Sequence, residues 1–208
     1  MLSEQPESPA ATGRGVFIVR NAQSGTAVIR TDPAVTLAER LPEAVVHELD
    51  DGEDLADAVR AAMQTDAAPS ILGVYGGDGS VSRMADLARR YERPLLVMPG
   101  GTFNHFARSA DLTDVDTAID ALQAGNTVEV SAMEVAADGE RAVLALNAVA
   151  AGAYPELIDE RERHLPQLGK WLGGVVAAWR ALRSAEPLTI VRDGRRARVW
   201  SVFVGIGR

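Results

Sequence analysis

The stretch Ile71-Leu72-Gly73-Val74-Tyr75-Gly76-Gly77-Asp78-Gly79-Ser80-Val81 runs from an apolar segment, through a glycine-rich turn, into helical composition that continues to Tyr91. Ile71 to Tyr75 reads as a buried strand and Val81 to Tyr91 as a helix, so Gly76, Gly77 and Gly79 fall where backbone amides converge on a helix N-terminus. Glycine there lets the chain approach an anion closely. Pro94 to Met98, the turn Pro99-Gly100-Gly101-Thr102-Phe103-Asn104, and the helical run Asn104 to Ala110 repeat the layout. Successive units of this kind pair in one parallel sheet, which puts both turns at the same carboxyl edge.

Either turn alone fits a geometric use of glycine as well as a phosphate site. The pair carries a polar payload besides. Asp78, an acidic group among phosphate-directed amides, would repel a polyanion unless a divalent cation or a ligand hydroxyl intervenes, which points to metal-linked nucleotide chemistry. Thr102 and Asn104 add neutral hydrogen-bonding groups.

Outward from these turns, the first part of the chain alternates strand and helix: Val16 to Arg20, Pro33 to Leu41, Ala44 to Leu49 and Leu55 to Met63. This is an α/β pattern. Asp32-Pro33 and Asp51 to Asp54 supply helix-start chemistry, and Thr113 starts a helix, Asp114 to Gln123, that ends at Gly125. Beyond Asn126 the pattern changes. Thr127 to Val135 and Arg141 to Val149 flank an Asp-Gly pair, as do Leu188 to Arg192 and Arg196 to Val204, so each pair reads as a β-hairpin. The expected organisation is a loose tail over residues 1–12, a parallel-sheet α/β domain over 13–126, and a β-rich antiparallel domain over 127–208 interrupted by a helical insertion at about 155–185. The insertion carries an apolar stripe from Leu165 through Trp171 to Leu182, which suits either packing on its own sheet or a lipid-admitting, interface-facing element.

Composition narrows the class. The chain has 208 residues with 47% hydrophobic content, enough for a substantial core. Its net charge of −8, from 21 basic and 29 acidic residues, disfavours a general nucleic-acid binder. Arginines nevertheless load the last third, where a basic face toward an anionic membrane competes with ordinary solvated charge. With no cysteine, disulfides and thiolate metal sites are excluded, which suits a reducing cytoplasm. No run has the length of a transmembrane helix or the layout of a signal peptide. His47 and His164 read as structural or solvated, and His105 as a nucleotide contact at most.

The two glycine turns carry a family resemblance. Gly76-Gly77-Asp78-Gly79-Ser80 resembles the Gly-Gly-Asp-Gly-Thr motif of the diacylglycerol kinase catalytic domain family, the lipid kinases that include sphingosine and bacterial lipid kinases. Pro99 to Ala107 is similar to that family's Pro-x-Gly-Thr-x-Asn-x-x-Ala signature. Asn21-Ala22-Gln23-Ser24-Gly25 resembles its opening Asn-Pro-x-Ser-Gly turn. Weaker likeness continues through Leu146 to Tyr154 and Leu168 to Trp171.

The resemblance implies a kinase that binds ATP and Mg²⁺, with Asn21, Ser24, Gly76, Gly77, Asp78, Gly79, Ser80, Gly101, Thr102 and Asn104 at the nucleotide and Asp78 reaching magnesium through water or phosphate. It implies transfer of the γ-phosphate to a lipid hydroxyl, with diacylglycerol as acceptor, by a cytoplasmic protein that meets its substrate peripherally at the inner membrane face. Two departures stand out. Ser82-Arg83 occupies a region where the family often has Asn-Glu, and Val204-Gly205-Ile206-Gly207-Arg208 resembles a strand ending in Gly-Asn-Gly with Ile206 for Asn. Relatives run on past that strand and place the aspartate that activates the lipid hydroxyl there, so no general base is matched here. A chain stopping at Arg208 is expected to leave sheet edges unpaired, hence to dimerise or aggregate. NAD kinase and phosphofructokinase share Gly-Gly-Asp-Gly but differ in the next motif, and a non-catalytic or truncated nucleotide-binding protein is the alternative from another class.

Overall fold

The computed structural model describes residues 9–20, 33–136, 142–152 and 187–206. Asn21, Ser24, His164 and the expected helical insertion at 155–185 lie outside them.

Four apolar segments form a parallel sheet: β1 (Val16–Arg20), β2 (Val45–Glu48), β3 (Ile71–Gly76) and β4 (Leu95–Pro99), in the order β2-β1-β3-β4. Ile18 pairs with Gly73 and Val74 with Val97 across the central strands. Helices cover both faces, and the period-two alternation of the strands decides which residue meets which helix. Val16, Ile18 and Met98 pack with Leu37 of α1 (Pro33–Arg40) and Ile119 of α5 (Val115–Gln123). Phe17, Val19, Leu72 and Val74 face the other way, onto Val59 of α2 (Leu55–Met63) and Val81 and Met84 of α3 (Asp78–Arg90). A short helix, α4 (His105–Ser109), follows β4. Ile18, Val19, Leu72 and Met84 are wholly buried, and each such side chain contributes about 1.5–3 kcal/mol relative to exposure. The architecture is α/β, three-layered, as the strand–helix alternation predicts.

The helix starts follow their caps. Asp54 accepts from the Ala56 amide at 2.7 Å to open α2. The expected start of α5 at Thr113 moves by one residue: Asp114 is the cap and accepts from the Thr117 amide at 2.8 Å, while the Thr113 hydroxyl donates to Asp114. A carboxylate is the stronger acceptor of the two.

Past α5 the pairing is shorter than the hydrophobic runs. Residues 127–132 are exposed and unpaired, and only β5 (Met133–Val135) and β6 (Val143–Ala145) form an antiparallel pair. Leu144 and Leu146 join the core cluster that contains Val81 and Met84 of α3. The first compact unit runs to Leu146, and the second begins at Asn147. Burial against α3 places β5 and β6 with the first unit.

The second unit contains β7 (Ala148–Gly152), β8 (Leu188–Arg192), β9 (Arg195–Val199) and β10 (Ser201–Gly205). β8 and β9 are antiparallel about Asp193 and Gly194, whose φ values of 52° and 73° are the paired positive angles of a type I′ turn. The single strand expected over Arg196 to Val204 is broken at Trp200. Its first half pairs with β8 and its second, β10, pairs antiparallel with β7.

Candidate functional site

In a doubly wound sheet of order β2-β1-β3-β4, the crevice opens at the carboxyl ends of β1 and β3, where the chain order reverses. Both glycine turns lie along that edge. Gly76 pairs in register with Pro99, so the residues that follow them leave the sheet side by side. The Gly100 amide donates to the Gly76 carbonyl at 3.0 Å. A Cβ on Gly101 would stand 2.4 Å from Gly77 Cα, and one on Gly100 would stand 3.0 Å from the Gly76 nitrogen. Here glycine serves mutual approach: backbone meets backbone with no room for a side chain between.

α3 starts at this contact. Gly77 is its N-cap, with φ −84° and ψ 179°, and its carbonyl accepts from the Val81 amide at 3.0 Å. Helix geometry leaves the first-turn amides without intrahelical partners and puts the positive end of the dipole at the crevice. Gly79, in that turn, is exposed, with nothing within 4 Å of where its Cβ would be.

The polar side chains divide into those that build the loops and those left toward solvent. Asn104 is 4% exposed and adopts the left-handed conformation, φ 51° and ψ 46°. Its Oδ1 accepts from the Gly101 amide at 2.8 Å and its Nδ2 donates to the Gly101 carbonyl at 2.8 Å. Both ends of this amide are spent on shaping the second turn, a role the sequence reading did not separate from ligand contact. Asn is among the few residues that tolerate this conformation, and that is the signal that marks it. Asp78 turns its carboxylate onto α4, accepting from the His105 amide through Oδ2 and from the Phe106 amide through Oδ1, each at 3.1 Å. Thr102 is exposed, and so are Phe103 and His105, whose rings stack at 5.6 Å between centroids and 5° between planes.

Arg83, at the position where the family often has Asn-Glu, donates to Asp54 at 2.6 Å and ties α3 to the cap of α2. The Ala56 amide, and then Arg83, hold the Asp54 carboxyl below its ordinary range. His47 stacks on Phe17 and lies 2.9 Å from Glu53, a structural setting of the kind expected. Among the described residues no three acidic or histidine side chains gather as a metal site. Both Asp78 oxygens are directed at backbone amides of the second turn's helix, so the carboxylate is engaged in holding the loops.

The sequence model of the family described as "Diacylglycerol kinase catalytic domain" matches residues 15–135. The chain belongs to the diacylglycerol kinase catalytic domain family. That span contains β1 to β5, α1 to α5 and both glycine turns. Among solved structures, a diacylglycerol kinase from Bacillus anthracis str. Sterne matches with 22% identity and a TM-score of 0.58, over 92% of this chain and 64% of its own. Two further structures from the same strain match at 23% identity, with TM-scores of 0.57 and 0.59, over 92% of this chain and 66% of theirs. The chain thus spans slightly less than two thirds of the length of these structures. At such identities the likeness speaks for the fold.

Proposed function

We propose that this lipid-kinase-family domain binds ATP at the carboxyl edge of β3 and β4 and passes the γ-phosphoryl group to the hydroxyl of a lipid, with diacylglycerol as the acceptor. The observation that carries this reading is the contact of the two glycine turns beside the N-terminus of α3. It gathers first-turn amides and exposed backbone into one anion-receiving surface. Gly76, Gly77, Gly79, Ser80, Gly101 and Thr102 line it, and Asn21 and Ser24 join them by family resemblance. Asn104 acts behind them, through Gly101.

In the reaction the bond from the γ-phosphorus to the bridging oxygen of ADP breaks as the lipid oxygen bonds to that phosphorus, and the hydroxyl proton leaves to a base. Positioning and neutralisation of phosphate charge are most of what such a transfer asks of a protein. The turns and the α3 dipole supply part of both. Magnesium, which the family resemblance implies, would supply further neutralisation at the nucleotide phosphates.

A lipid acceptor fits the second unit. Arg195, Arg196 and Arg198 of β9 are exposed, and so are Trp200 and Phe203 beside them in sequence. Basic and aromatic groups together suit an anionic lipid surface. The setting this reading implies is cytoplasmic, with peripheral contact at the inner membrane face. Among the described residues no helix is long and apolar enough to cross a membrane.

The test is transfer of labelled γ-phosphate from ATP to a mixed lipid extract. A labelled lipid supports the reading. Saturable ATP binding with no labelled lipid replaces it with a nucleotide-binding protein that lacks transferase activity.

A further inference from the structure

Asp78 opens α3, yet its carboxylate serves a different helix. The N-cap position of α4 belongs to Asn104, which makes no side-chain cap bond because its amide is committed to Gly101. The first two amides of α4, those of His105 and Phe106, instead donate to Asp78 from 27 and 28 residues away in sequence. The cap of α4 is thus supplied in trans by the first glycine turn. Two further ties run between the same turns: the Gly100 amide on the Gly76 carbonyl, and the Gly77–Gly101 backbone contact. The carboxylate closes the end of the second turn that these leave free.

We propose that Asp78 is a positioning residue that locks the second glycine turn and α4 to the first turn of α3, and is not a magnesium ligand. This rests on the nucleotide reading of the site only for its functional consequence; the clamp itself is a property of the free protein. Its two oxygens are aimed at two amides, and a bidentate carboxylate is the group that satisfies both at once. In the Asp78→Asn variant one oxygen remains to accept, and the new NH₂ group faces an N–H. One α4 amide loses its partner and the second turn loosens, displacing Gly101 and Thr102 from the anion-receiving surface.

The experiment compares wild-type protein with Asp78→Asn in two measurements. Hydrogen exchange of the His105 and Phe106 amides, without nucleotide, is expected to accelerate roughly tenfold or more in the variant, since losing a charge-assisted bond shifts an opening equilibrium by about that factor. Affinity for ATP is then measured in magnesium and again in EDTA. A positioning role lowers affinity by a similar factor in both solutions, whereas a metal ligand lowers it in magnesium alone. Unchanged exchange at the two amides, or a loss confined to magnesium, overturns the proposal. If wild-type protein binds no ATP in either solution, the nucleotide reading fails and the exchange measurement alone decides the clamp. If the variant does not fold, wild-type exchange decides: slow exchange at both amides supports the clamp, and exchange as fast as an open loop refutes it.

Discussion

Arg83 of α3 and Asp54, the N-cap of α2, are joined at 2.6 Å, so one carboxylate both opens a helix and anchors its neighbour. The two contributions respond differently to substitution. Asp54→Ala removes both and is expected to destabilise by about 1–2 kcal/mol, most of it from the cap, because an exposed ion pair adds little. The acid dependence has a definite sign. The folded-state pKa of Asp54 is lowered, by the Ala56 amide first and Arg83 second, so its contribution is present above the unfolded pKa and disappears as pH falls through the lowered one. Thermal midpoints of wild type and Asp54→Asn should differ most at neutral pH and converge as pH falls through the lowered folded-state pKa, where the carboxyl is protonated in both states.

Gly101 and Gly79 make a matched pair. A Cβ at Gly101 meets Gly77 Cα at 2.4 Å, and no flexible side chain is available to yield. Gly101→Ala should therefore force the turns apart and lower ATP affinity by roughly tenfold or more, about 1.4 kcal/mol, with a smaller change in thermal midpoint. At Gly79 the space is open and the residue is helical, so alanine there should raise stability by about 0.5–1 kcal/mol. An affinity loss in Gly79→Ala, measured beside its gain in stability, would report close approach of a phosphate to that backbone.

Much of this was legible from residues 71–81 and 94–110, because a strand closing on glycine and opening a helix is a local pattern, and the parallel register of β3 and β4 follows from repeating it. The positions of Gly77 and Gly101 at one edge came with it. The duties of Asp78 and Asn104 were not legible. Each is fixed by a backbone group brought near by tertiary structure or by an unusual φ, and residue type alone does not distinguish an acceptor aimed at a ligand from one aimed at an amide. The break at Trp200 was hidden for a related reason: strand-forming residues continue across it, and only the choice of partner strand changes.

Asn104 separates strain from hydrogen bonding. Its φ of 51° disfavours a β-carbon, and its side chain is bonded twice to Gly101. Asn104→Ala keeps the strain and abandons the Gly101 amide, which predicts a loss of about 2–4 kcal/mol. Asn104→Gly relieves the strain and should lose less, about 1–3 kcal/mol. Denaturant unfolding of the two variants checks the order. Equal losses would mean that the left-handed backbone carries no measurable strain here.

Leu144 tests why the first compact unit runs past Asn126. It is buried in the same cluster as Val81, Met84 and Leu87 of α3, although it lies in a hairpin joined to α5 by the exposed stretch at 127–132. Truncating a buried leucine removes transfer energy and leaves a cavity, so Leu144→Ala should destabilise the unit by about 2–4 kcal/mol. Val128→Ala, in the exposed stretch, should change stability by less than about 0.5 kcal/mol. The informative readout is hydrogen exchange along α3. If β6 is part of the α3 core, Leu144→Ala speeds exchange at the amides of Met84 to Ala88 while Val128→Ala leaves them alone. Unaltered α3 exchange in Leu144→Ala would mean that the hairpin rests on the helix without stabilising it.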